Sequence, residues 1–165
     1  MFTNKDIEVF DDKIEELEDS AEILTDKVND RLIKDQKAII SIIESYIKEH
    51  QLIVYGGNAQ NLAIKKIDPK GVFYDDKDVH DYDVYSFDPI NDAINLTKQI
   101  FKTGFKNILA IEAIHVETYS IKYYGTALCD FSYMPKYVFD NLPILSVDGF
   151  KIVNPYLAYI DFMRM

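Results

Sequence analysis

The strongest constraint on this chain is a change of periodicity at Leu52. From Ile7 the apolar residues Ile7, Phe10, Ile14, Leu17, Ala21, Leu24 and Val28 recur at alternating steps of three and four, which draws one stripe along a helix at heptad spacing. Thr3-Asn4-Lys5-Asp6 offers a capping start just before it. Ile39, Ile40, Ile43, Tyr46 and Ile47 form a second helical face that ends near His50-Gln51, so residues 1–50 read as two helices. Leu52-Ile53-Val54-Tyr55 is then a short β-prone run stopped by Gly56-Gly57. A helical front followed by strands separated by helices predicts an α+β fold with N-terminal helices and a mixed sheet.

Behind Gly56-Gly57, residues 58–64 read as a helix and residues 68–80 as a polar, turn-rich loop. Asp81-Tyr82-Asp83-Val84-Tyr85 reads as a strand, and residues 90–101, after Pro89, as a helix. Three β-prone runs follow, at 108–116, 118–124 and 126–133, with a tight turn at Tyr124-Gly125. Gly149 marks a turn between runs 144–147 and 150–153. Asn154-Pro155 opens a last helix with Tyr156, Tyr159, Ile160 and Met163 as its apolar face. The expected organisation is a helical segment over 1–50, a folded unit over 51–153, and at 154–165 the start of a helix leading into a further C-terminal domain.

Composition removes several classes. With 165 residues, 48% hydrophobic and 28% charged, the chain is the size of one ordinary domain with a real core. No run approaches 18 apolar residues and Met1–Asp6 lacks a signal-peptide pattern, so no membrane partner and no secretion are expected. Cys129 is the sole cysteine, which excludes an internal disulfide or a zinc cluster. The net charge of −10 is concentrated at the front, residues 1–50 carrying −7, residues 51–100 carrying −3 and the rest none. Such an acidic balance argues against strong non-specific nucleic-acid binding by this chain alone, because phosphate attraction needs clustered Lys and Arg, and any RNA would need a local patch or another segment.

Three features carry chemistry. Gly56-Gly57 sits between a strand and a helix, where a backbone without Cβ atoms approaches a ligand closely and helix-start N–H groups hold phosphate oxygens. No Lys-Ser or Lys-Thr follows at P-loop spacing. Asp81 and Asp83 alternate in a strand and share a face, with Tyr82 and Val84 on the packing side. Carboxylates this close repel unless a divalent cation lies between them. Asp130 stands mid-strand in Thr126-Ala127-Leu128-Cys129-Asp130-Phe131-Ser132-Tyr133, opposite in facing to Ala127, Cys129, Phe131 and Tyr133. If the two strands are neighbours, Asp81, Asp83 and Asp130 form a Mg²⁺ cluster suited to phosphoryl transfer.

At these residues the chain resembles the nucleotidyltransferase superfamily of DNA polymerase β type: strand, Gly-Gly, helix, Asp-x-Asp, and a third acid on a later strand. Val54-Tyr55-Gly56-Gly57-Asn58-Ala59-Gln60-Asn61, His80-Asp81-Tyr82-Asp83-Val84-Tyr85 and the long helical front are more similar to poly(A) polymerase catalytic subunits of giant viruses. The resemblance covers roughly residues 52–133. It implies a nucleotidyltransferase palm that adds AMP from ATP to RNA 3′ ends by a two-metal mechanism with Mg²⁺ or Mn²⁺, and residence in host cytoplasm or virion. It further implies that Gly56, Gly57 and Asn58 bind the triphosphate, that Asp81 and Asp83 hold both metals, and that Asp130 helps hold the one activating the 3′ hydroxyl.

Plainer readings stand beside these. The Ile7–Val28 stripe is first a packing face and only second a homodimer seam, and Asp75, Asp76 and Asp78 are a solvated loop without the Gly and Glu of a calcium loop. His50, His80 and His115 have no ligand spacing and read as surface or packing residues. The twelve tyrosines read mainly as packing. Two other functions remain: a nucleotidyltransferase acting on another acceptor, and a catalytically inactive palm serving as a binding or dimerisation module.

Overall fold

A computed structural model describes residues 4–74 and 79–162. Its elements are α1 (Asn4–Glu49), β1 (Ile53–Tyr55), α2 (Gly56–Ile67), β2 (Tyr82–Ser86), α3 (Pro89–Lys102), β3 (Ile108–Glu112), β4 (Thr118–Tyr123), β5 (Thr126–Tyr133), α4 (Lys136–Asn141), β6 (Ile144–Val147), β7 (Phe150–Val153) and α5 (Pro155–Phe162). The expected α+β class with a mixed sheet is what forms.

The first correction is at the front, where one helix replaces the two expected. The polar stretch Asn29-Asp30-Arg31 and Lys34-Asp35-Gln36-Lys37 interrupts the apolar stripe but contains neither Gly nor Pro. Polarity alone does not end a helix, since Arg, Lys and Gln are good helix formers. Up to Asp35 the chain forms a unit of its own by internal contacts, and Gln36 onward forms a second. In the first unit Leu17, Leu24 and Val28 of the stripe are solvent-exposed. The side chains of Ile7 and Phe10, and the acids Asp75, Asp76 and Asp78, lie outside the described residues.

In the second unit the sheet has seven strands in the order β3-β4-β5-β2-β1-β7-β6. β1 runs antiparallel to β2 and parallel to β7, and β2 runs parallel to β5. The flanking pairs β3/β4, β4/β5 and β6/β7 are antiparallel. The expected tight turn forms with Tyr124 at φ 48° and Gly125 at φ 86°, both left-handed as a two-residue hairpin requires.

Alternation divides the sheet into two faces. Tyr82, Val84, Cys129 and Phe131 are buried on the first, and Ile39, Ile43, Tyr46 and Ile47 of α1 and Ala93, Leu96 and Ile100 of α3 are buried with them in the core. The Tyr46 ring meets Phe131 edge-on at 6.4 Å, Tyr46 Oη donates to Asp92 Oδ1 at 2.8 Å, and Tyr82 Oη donates to Glu44 Oε1 at 2.7 Å. These bonds tie α1, α3 and β2 together, and they satisfy phenols that would otherwise be buried unpaired. The second face carries Tyr55, Asp83, Asp130 and Ser120 in one cross-strand row.

Two smaller differences concern the C-terminal third. α4 forms at 136–141, where no element was expected; it is a six-residue helix with no buried residue, too short to show periodicity. In α5 the intended apolar face is exposed, with Tyr156 at 82% and Tyr159 at 63%, and Met163 lies outside the described residues.

Candidate active site

The site forms where β1 ends and α2 begins. Tyr55 is the N-cap residue of α2, with no side-chain cap hydrogen bond and no acid in the first turn. The helix therefore presents uncapped N–H groups and the positive end of its dipole. Gly56 adopts φ +67°, and a methyl group there would collide with Asp83 Oδ2. Gly56 thus serves two needs at once, a left-handed turn and close approach of a carboxylate to the backbone. A methyl on Gly57 would collide with the Tyr74 hydroxyl. Asn58 Nδ2 donates to the Asp81 carbonyl oxygen, linking the start of α2 to the segment that enters β2. In this structure Asn58 is thus a strut between the glycine turn and the acids.

Register brings the acids together. Asp83 is the direct cross-strand partner of Asp130 on β5 and of Tyr55 on β1. Asp81 lies one residue before β2 and is exposed. Burial, then the charges of Asp81 and Asp130, push the Asp83 carboxyl up to about 6, with His115 acting in the opposite sense. Asp130 Oδ1 is buried without a hydrogen-bond partner. Among the described residues no group of three acidic, histidine or cysteine side chains is gathered closely enough to hold an ion as it stands. The donor set nevertheless fits a divalent cation. It is all oxygen, and the mutual repulsion of its carboxylates is of the kind a cation relieves.

Hydroxyl groups floor the same face. Tyr55 Oη and Ser132 Oγ are bonded at 2.7 Å, and Ser132 Oγ and Thr118 Oγ1 at 3.0 Å. Tyr55 also stacks on Tyr85, ring centroids 4.1 Å apart. Burial raises the Tyr55 phenol well above its ordinary range, so it stays protonated. Cys129, on the opposite face, is pushed up first by burial and then by Asp130 and Asp83; its thiol is inert packing.

Three residues near the acids carry no sequence signal. Tyr74 leans over Gly57 and stacks on His80, centroids 3.6 Å apart; Phe73 N and Tyr74 N both donate to Asn61 Oδ1. Burial, then Asp81 and Asp83, raise the Tyr74 phenol. His115 sits in the β3–β4 connection, closed by Ala113 N to Thr118 O and Thr118 N to His115 O, and is near enough to act on the Asp83 charge. Ser120, cross-strand from Asp130, is the third. Neither spacing nor composition announces them, because each reaches the site through a loop or a register that only the fold sets. His80, expected as a surface or packing residue, stacks on Tyr74, and His50, expected likewise, stacks on Tyr46 at 4.0 Å.

The comparisons with known proteins agree with this geometry. A family model described as the poly(A) polymerase catalytic subunit matches residues 41–165. A protein of Acanthamoeba polyphaga mimivirus that carries the provisional name of poly(A) polymerase catalytic subunit is 32% identical over 164 residues, 99% of this chain and 28% of its own length. A protein of the same provisional name from an African swine fever virus isolate is 32% identical over 120 residues, 72% of this chain and 25% of its own. The crystal structure of the Megavirus polyadenylate synthase superposes with a TM-score of 0.80 at 30% identity, covering 99% of this chain and 33% of that one. The chain spans a third or less of the length of these relatives. No helix among the described residues is long and apolar enough to cross a membrane.

Proposed function

This chain belongs to the family of poly(A) polymerase catalytic subunits, and we propose that it carries the nucleotidyl-transfer site of an enzyme that adds AMP from ATP to RNA 3′ ends. The observation that supports this best is the cross-strand pairing of Asp83 with Asp130 beside the uncapped N-terminus of α2.

The α2 N-terminus at Gly56 and Gly57 takes the triphosphate, its N–H groups donating to phosphate oxygens. For that the Tyr74 hydroxyl has to leave the space over Gly57. Asp81, Asp83 and Asp130 are the residues that would hold Mg²⁺ or Mn²⁺, which when bound would neutralise the triphosphate and acidify the 3′ hydroxyl. The acceptor 3′ oxygen bonds to the α-phosphorus, the bond from that phosphorus to the bridging oxygen breaks, and pyrophosphate leaves. The hydroxyl proton passes to a carboxylate oxygen of Asp130. Asn58 keeps Asp81 in place through its bond to the Asp81 carbonyl. The Tyr55–Ser132–Thr118 hydroxyls hold β1, β5 and β4 in register beneath the acids. A viral setting follows from the relatives, and host cytoplasm or virion is where such an enzyme would meet RNA.

The test is extension of an RNA oligonucleotide with each of the four NTPs in Mg²⁺ or Mn²⁺, comparing Asp83→Ala and Asp130→Ala with the parent. Loss of AMP addition by about 10²–10³-fold with the fold retained is expected. Near-normal tailing by either variant overturns the assignment.

A further inference from the structure

Ser120 is a buried hydroxyl on the carboxylate face that takes no part in the network just described. It is 2% exposed, sits in the middle of β4, and is the direct cross-strand partner of Asp130. Its Oγ has no hydrogen-bond partner, and neither has Asp130 Oδ1. Its neighbours on the same face, Thr118 and Ser132, are paired with each other, and Ser132 also with Tyr55. Two orphaned oxygens of complementary type are thus carried by cross-strand partner residues on one face of the sheet: a donor that can rotate, and a carboxylate oxygen that can only accept. An unmade bond of this kind is costly in a buried setting, so the arrangement favours a state in which the pair is joined.

We propose that Ser120 is a positioning residue for Asp130: its hydroxyl donates to Asp130 Oδ1, directly or through one water, and leaves the second carboxylate oxygen for the cation and the acceptor hydroxyl. This rests on the reading of Asp83 and Asp130 as metal-holding residues. A carboxylate held at one oxygen loses rotational freedom before the cation arrives, which is how partners behind a ligand raise metal affinity, by about 10–100-fold. Ser120 itself touches neither cation nor substrate.

The experiment is Mn²⁺ binding by the 165-residue chain, followed by the loss of the free-ion paramagnetic resonance signal, for the parent, Ser120→Ala, Ser120→Thr, Asp130→Asn, and Asp130→Asn combined with Ser120→Ala. Ser120→Ala should weaken binding about tenfold in a chain that still unfolds cooperatively, and Ser120→Thr should restore most of it. In the Asp130→Asn background Ser120→Ala should have little further effect, because the amide oxygen can still accept from Ser120 but the charged carboxylate that the cation needs is gone. Parent-like affinity in Ser120→Ala, or the same tenfold loss in both backgrounds, overturns the positioning role. If Asp130→Asn binds Mn²⁺ as the parent does, the reading of the carboxylates fails first, and the role of Ser120 fails with it.

Discussion

Asp83→Asn should stabilise the metal-free protein, an effect opposite to the usual cost of altering a half-buried polar group. In the folded chain the Asp83 carboxyl is raised from 3.8 to about 6 by burial and by the charges of Asp81 and Asp130. A folded-state value above the unfolded one means that the native state binds the proton more tightly. Stability from this group is therefore fully present below about pH 4 and is lost as pH rises through 6. Roughly two units amount to about 3 kcal/mol without screening; Asp83 is only partly buried, and solvent reduces this to about 1–2 kcal/mol. Asparagine keeps the shape and removes the charge. At pH 8 in the presence of a chelator its melting temperature should exceed that of the parent by about 2–8 °C, at 2–4 °C per kcal/mol for a domain of this size. At pH 4.5 most of the difference should vanish, since the parent is then largely protonated. Adding Mn²⁺ at pH 8 should raise the parent and leave the variant. A variant no more stable than the parent at pH 8, or an advantage independent of pH, refutes the reasoning.

Two further outcomes follow from the packing. Gly57→Ala places a methyl group against the Tyr74 hydroxyl, so it should lower stability by about 1–3 kcal/mol, the range for overpacking, and Tyr74→Ala should relieve most of that loss; additive effects in chemical denaturation would contradict the contact. Asp92→Ala removes the acceptor for both Tyr46 Oη and Ser86 Oγ; it should cost about 2–4 kcal/mol in urea unfolding without altering nucleotide affinity, and a change in that affinity would place α3 in the site.

The parts of the fold that the sequence made legible are those with short-range causes. Alternation put Tyr82 and Val84 of β2, and Ala127, Cys129, Phe131 and Tyr133 of β5, on packing faces; Tyr82, Val84, Cys129 and Phe131 are buried, whereas Ala127, beyond the register shift opposite Leu128, is half-buried and Tyr133 at the strand end is exposed. The hairpin turn at Tyr124-Gly125 was legible from its glycine. Register was not, because pairing of Asp83 with Asp130 requires two strands 47 positions apart to align, and sequence periodicity cannot set such an offset. The exposed Asp81 illustrates the limit: alternation put it in the strand with Asp83, whereas β2 starts at Tyr82. The helical front shows the reverse error, since a polar interval looked like a break between two helices, whereas α1 runs through it and only the division into contact units falls there, at Asp35/Gln36. Tyr74 and Ser120 were invisible because a tyrosine in a loop and a serine in a strand have many bland explanations, and only their neighbours distinguish them.

The central claim, that Asp83 and Asp130 form a cation-dependent nucleotide site beside α2, is tested most directly by calorimetric titration of ATP into the chain with Mn²⁺, with chelator, and in the Asp83→Asn/Asp130→Asn double variant. ATP binding that requires Mn²⁺ and disappears in the double variant is the predicted result. ATP binding of equal strength in all three conditions would contradict the account, because the nucleotide would then be held by something other than these carboxylates.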